Sequence, residues 1–310
     1  MIYGGPLVDA STSGHKENRI VRSKIMSVKI IVDSASDIPL SYAIQQEVAF
    51  VPLKTNLGGI EYRDGIDILP DTFFEKLEQN KELAHTSQVN TADFMEIFEK
   101  TVANGDEAVV ITLSGGLSGT CQSALVAAED YEGKVFVVDS LSATAGEQVL
   151  LYHALRLRDE GKTAREIYEE LCEIRKRFRL LVCLETLEYL KRGGRISKTS
   201  AIVGGIIGIK PILTLNETGT LESVGKARGI KAGYKMLNDN ILASGGIDFD
   251  YPVVVTYGGD LGDGVVDRYL EDSRSIYGEH TDRVIRGQLG CVIGTHAGPG
   301  ALVVSYVPKK

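Results

Sequence analysis

The chain has no long run of lysine and arginine, no C-x-x-C pair and no apolar stretch of the roughly eighteen residues that a bilayer-spanning helix needs. Each absence removes a class of function. A net charge of -8 without a basic run argues against nucleic acid or an anionic membrane surface as the partner. Four scattered cysteines, Cys121, Cys172, Cys183 and Cys291, come with no histidine at metal-ligand spacing. They argue against a disulfide framework and a metal site and point to reduced thiols in a cytoplasm. The start of the chain lacks the apolar core of a signal peptide, and there is no internal repeat or low-complexity tract. Also missing are a G-x-x-x-x-G-K-[ST] loop, a kinase signature set and a G-x-G-x-x-G turn after the first strand. ATP hydrolysis by this chain alone is therefore not expected.

What is present is apolar material for about two cores, in 310 residues of 43% hydrophobic content. Residues 1–26 are polar and unpatterned and are expected to form a leader or disordered arm. From there short apolar runs alternate with helical patterns. Val28–Val32, Ala108–Leu113 and Val135–Val138 read as strands, and helices are expected over 91–104, 121–129, 143–160 and, opened by the capping box Thr163-Ala164-Arg165-Glu166, to about 179. This alternation predicts a parallel sheet with helices on both faces over residues 27–179. After Leu180–Leu184 the pattern changes to a hairpin around Asn216–Gly219, helices near 231–242 and 264–277, and strands near 253–257, 283–285 and 302–307. The expected fold class is thus α/β with two domains, the second, over 180–310, carrying a mixed sheet.

Three loops collect the chemistry. Ser114-Gly115-Gly116-Leu117-Ser118-Gly119-Thr120 joins a strand to a helix, the place where open parallel sheets bind ligands. Its glycines admit a ligand to the backbone, and its hydroxyls and the helix start offer donors to an anion; a glycine-rich turn with a Ser/Thr cap fits the same residues. Asp33 and Ser34 stand at the carboxyl end of the first strand. His85-Thr86-Ser87-Gln88-Val89-Asn90 puts further hydroxyls ahead of another helix, with plain capping as the other reading.

With these loops in view, the sequence resembles the DegV family of bacterial fatty-acid-binding proteins. The resemblance rests on Asp33-Ser34-Ala35-Ser36-Asp37-Ile38-Pro39, Thr86-Ser87-Gln88, Leu117-Ser118-Gly119-Thr120, Arg192-Gly193-Gly194-Arg195-Ile196, Lys210-Pro211-Ile212 and His296-Ala297-Gly298-Pro299-Gly300. It covers the chain from about Ser27 to Val307. It implies two α/β domains with a long-chain fatty acid buried between or within them, no other cofactor and no catalysis by this chain. It also implies a partner, the catalytic subunit of fatty acid kinase, which phosphorylates the bound carboxylate using ATP. The chain departs from the family pattern at Val89, usually proline, and at Gly115, often serine.

The resemblance implies a carboxylate site from Thr86, Ser87, Ser114, Gly115, Ser118 and His296, with His296 in a loop before the Gly-Pro-Gly turn and His85 a weaker neighbour. Ala201–Ile209, apolar with interspersed glycines, reads either as acyl-tunnel lining or as core. Arg192, Arg195 and Lys198, with Lys191, form the one basic cluster and read as a solvated face or, by the resemblance, as the kinase docking patch. The rival reading is a serine hydrolase using Ser118 and His296 with Asp33 or Asp139. Against it, Thr120 breaks the G-x-S-x-G elbow and the chain order is Asp, Ser, His.

Overall fold

The structure, a computed structural model, describes residues 27–79, 84–196, 208–260, 262 and 264–310. The expectations for residues 1–26, Lys198 and most of the 201–209 segment lie outside the described residues.

In chain order the first half comprises β1 (Val28–Asp33), α1 (Leu40–Gln45), β2 (Ala49–Val51), β3 (Lys54–Leu57), β4 (Ile60–Arg63), α2 (Pro70–Gln79), β5 (His85–Ser87), α3 (Thr91–Ala103), β6 (Glu107–Thr112), α4 (Thr120–Ala128), β7 (Val135–Asp139), α5 (Ala145–Asp159) and α6 (Ala164–Ile174). The second half comprises β8 (Arg179–Cys183), α7 (Glu188–Arg192), β9 (Ile209–Leu215), β10 (Leu221–Arg228), α8 (Ile230–Ala243), β11 (Val254–Tyr257), α9 (Val265–Asp272), α10 (Arg274–Tyr277), β12 (Ile285–Gln288), α11 (Cys291–Ala297) and β13 (Leu302–Tyr306).

Runs buried on both faces make the first sheet, ordered β2-β1-β6-β7 and parallel throughout. The second sheet, ordered β10-β9-β8-β13-β11-β12, is mixed: β11 and β12 pair in parallel and the other pairs are antiparallel. The α/β class read from the sequence is the one the chain adopts. Local chemistry sets several ends. Asn90 caps α3, the Thr163–Glu166 box caps α6, and the Asn216 side chain accepts from the N–H groups of Thr218 and Thr220 to close the β9–β10 turn.

Period-2 alternation divides the second sheet. Leu180, Val182, Leu213 and Val303 face the layer containing α5, whereas Leu181, Cys183, Ile212 and Val304 face away, into a core with Leu237 and Ile241 of α8. Helix α5 is buried almost all round and packs against strands of both sheets, so a single core joins Val32 and Ile111 of the first to Val182 and Val303 of the second. A small antiparallel sheet, β4-β3-β5, was not expected in this form: the stretch around Thr86, read as a loop, contains a strand.

Candidate functional site

The inward leucines and valines of the second sheet do not meet the first layer everywhere. Between Leu180, Val182, Leu184, Leu213, Leu215 and Leu221 on one side and Leu53, Leu113, Leu117 and Val292 on the other lies a cavity of about 380 Å³. That is the size of a small-molecule site, with the usual apolar walls and few polar groups.

Apart from Thr144, those polar groups are Thr86, Ser87, Gln88, Ser118, Arg195 and His296, with Thr86 against His296 and Arg195 against the Leu117–Ser118 segment. Pairing of Thr55 with Thr86 places β5 there. His296 arrives on α11, which corrects the expectation of a loop. The reason lies in the capping of α11. Its first N–H groups are held by Asp64, whose carboxylate accepts from Cys291 at 2.9 Å and Val292 at 3.3 Å, and from the Ser34 hydroxyl at 3.0 Å. A cap supplied from 227 residues away leaves no local signal of a helix.

His296 Nε2 lies 2.8 Å from Thr86 Oγ1, and its Nδ1 has no hydrogen-bond partner among the described residues. A buried lone pair costs less to leave bare than a buried N–H, so we assign the proton to Nε2, which donates to Thr86. The Thr86 O–H is then free to donate to a ligand. Burial, then the Arg195 guanidinium and His85, hold His296 down at about 4, and the ring is neutral near pH 7. Arg195 is half-buried; its Nε donates to the Leu117 carbonyl at 3.2 Å and an Nη to the Gly193 carbonyl at 2.6 Å. It is the one cationic side chain among the described lining residues. Sequence reasoning put it with the docking patch, because a cluster of basic letters does not say which way each side chain turns.

The Ser114–Thr120 loop is divided in its duties. Ser114 was expected at the carboxylate but is fully buried away from the cavity. Its hydroxyl donates to the Gly219 carbonyl at 2.8 Å and accepts from Gly116 N–H at 3.0 Å, which ties the β9–β10 turn to this loop. Gly115 is likewise outside the cavity lining, its N–H directed at the Asp139 carboxylate at 3.2 Å. Ser118 does line the cavity, 3.0 Å from Thr120 Oγ1 at the start of α4. No hydrogen bond joins Ser118 to His296 among the described residues, and Asp33 and Asp139 accept from backbone N–H groups instead of orienting that ring. Arg192 is exposed and paired with Glu188.

The family model described as "Uncharacterised protein, DegV family" matches residues 27–309. The chain belongs to the DegV family. Among curated DegV domain-containing proteins, one from Caldanaerobacter subterraneus is 36% identical over 285 residues, covering 91% of this chain and 99% of that one. A DegV family protein from Thermus thermophilus, solved in a study of fatty acid binding, superimposes with a TM-score of 0.81 at 32% identity, covering 91% of this chain and all of that one (100%). A DegV family protein from Eubacterium eligens, loaded with heptadecanoic acid, gives a TM-score of 0.76 at 26% identity, with 91% and 100% covered. Among the described residues of this DegV chain, no helix is long and apolar enough to cross a membrane, and no group of His, Cys, Asp and Glu could hold a metal ion.

Two contributors went unseen in the sequence. Gly193 abuts the His296 ring, and the β9–β10 leucines form much of the wall. The first had a signal, a glycine between two arginines of a family motif; the second shows only as alternation along two strands.

Proposed function

We propose that this chain binds a long-chain fatty acid, with the tail in the cavity and the carboxylate at Thr86, Ser118, Arg195 and His296, and Ser87 at the mouth. It then presents the carboxylate to a separate kinase subunit in the cytoplasm, which converts it to an acyl phosphate. The observation that carries the reading is the apolar cavity ended by the Thr86–His296 pair beside Arg195. The tail supplies most of the affinity, about 0.8 kcal/mol per buried methylene, whereas each charge-assisted hydrogen bond adds about 1.5–3 kcal/mol. Long acids are thereby favoured over short ones, and the head group fixes orientation.

The kinase step draws support from two features. The sequence has no phosphate-binding loop of its own. Arg192, exposed on α7, adjoins Gly193, which touches His296, so a partner seated on Arg192 stands next to the head group. Solvent extraction of the purified protein followed by mass spectrometry tests the binding: a co-purified or added fatty acid at one per chain is expected, and neither being retained overturns it. For the partner step, Arg192→Glu is expected to slow acyl phosphate formation without loss of fatty acid, and equal loss of both contradicts a docking role.

A further inference from the structure

Leu180 and Leu215 line not only the apolar cavity but also a separate outer cleft of about 860 Å³, whose charged walls carry Arg175, Lys176 and Arg179 together with Glu217 and Glu222. Leu181 pairs with Thr214 across β8 and β9, so Leu180 and Leu215 are side by side. The Thr214 hydroxyl donates to the Leu180 carbonyl at 2.7 Å and fixes that pairing. A layer one side chain thick thus separates apolar space from a charged, solvent-facing cleft.

This layer stands at the opposite end of β8 from the segment that reaches His296. β8 runs from Leu180 toward Leu184 and on to α7, Gly193 and Arg195, the segment that touches His296. Four residues of strand separate Leu180 from Leu184, about 13 Å. The turn beyond Leu215 is pinned by the Ser114–Gly219 bond, which holds Leu215 in place.

We propose that Leu180 and Leu215 are the end stop of the cavity and set the longest acyl chain it accepts. The proposal rests on the fatty-acid reading above. A chain within the limit buries every methylene, whereas a longer one must displace Leu215 or bend back. Shortening Leu215 extends the apolar space toward the cleft, and enlarging it shortens the space. Each methylene gained or lost is worth about fourfold in affinity.

The test is competition. Wild type, Leu215→Ala and Leu215→Phe are each given an equimolar ladder of saturated acids from lauric to behenic, and the retained acids are extracted and quantified by mass spectrometry. Leu215→Ala is expected to shift the optimum to longer acids, raising the preference for the acid two carbons beyond the wild-type optimum by roughly fifteenfold. Leu215→Phe shifts it to shorter ones. Because the two changes push in opposite directions, instability of one variant leaves the other decisive. Wild-type profiles in a folded variant overturn the end stop while leaving fatty-acid binding intact; no retained acid in the wild type overturns the fatty-acid reading itself.

Discussion

Gly193 presents a bare Cα to the imidazole of His296: a Cβ built there would fall 2.1 Å from Nδ1. No larger residue fits without moving the ring, so Gly193→Ala is expected to pull His296 away from Thr86. Losing one head-group bond of about 1.5–3 kcal/mol weakens fatty-acid binding by roughly ten- to a hundredfold. Calorimetric titration with palmitate checks this, and an unchanged affinity counts against the head-group assignment.

A carboxylate arriving beside His296 favours the charged ring, and the free ring is held down at about 4. Binding is therefore expected to take up a proton at about pH 5, visible as a dependence of the binding enthalpy on the buffer's ionisation enthalpy, and His296→Gln should abolish it. In stability the same histidine has the depressed sign. Its contribution is complete above the unfolded value of about 6.5 and is lost as pH falls toward about 4. Identical enthalpies in all buffers would remove His296 from the site.

Glu147, in the first turn of α5, is fully buried, and neither carboxylate oxygen has a hydrogen-bond partner among the described residues. Burial, and then Asp33, Asp37 and Asp139, push it well above the usual carboxylate range. Asp33 is pushed up to about 7 by burial, against the lowering from the N–H groups of Leu113 and Ala35, and burial raises Asp37 and Asp64 as well. The fold keeps protons that the unfolded chain releases above about pH 4, so this stability is full below that pH and lost as pH rises through the folded values. Melting temperature is expected to fall as pH rises from about 5 through the folded value of about 7 for Asp33, and to fall less in Glu147→Gln, which keeps the shape without ionising. Parallel melting curves for the two proteins would show that Glu147 does not titrate in the fold.

Ser114 holds the β9–β10 turn through Gly219. Gly219 has φ +66 and a Cβ there would lie 2.0 Å from Ser114 Oγ, so Gly219→Ala adds both a strained backbone and a clash. Ser114→Ala is expected to cost about 1 kcal/mol of stability, Gly219→Ala more, and both to speed fatty-acid release without altering the proton uptake on binding. Stopped-flow displacement with a fluorescent acid measures the release. Loss of proton uptake in Ser114→Ala would instead place that hydroxyl at the carboxylate.

What the sequence disclosed and what it withheld separate by range. The Thr163–Glu166 box and the Asn216–Gly219 turn act within four residues, and each was legible, whereas capping was weighed at Thr86 and Ser87 and falls instead on Asn90. Helix α11 was missed because Asp64 caps it from far up the chain, and β5 because three polar residues become a strand only by pairing with β3. Ser114 was assigned to the carboxylate because nothing near it in sequence announces Gly219, 105 residues on. Thr86 and His296 were singled out by family resemblance, while the 2.8 Å contact that joins them belongs to the tertiary structure alone.

The central claim is that the acid end of the ligand sits at the Thr86–His296 pair. Carbon NMR of a fatty acid labelled at the carboxyl carbon and bound to the protein reads that end directly. The account predicts a single, slowly exchanging carboxyl resonance that moves in Thr86→Val and in His296→Gln but not in Arg192→Glu. A bound resonance indifferent to Thr86 and His296 would contradict it.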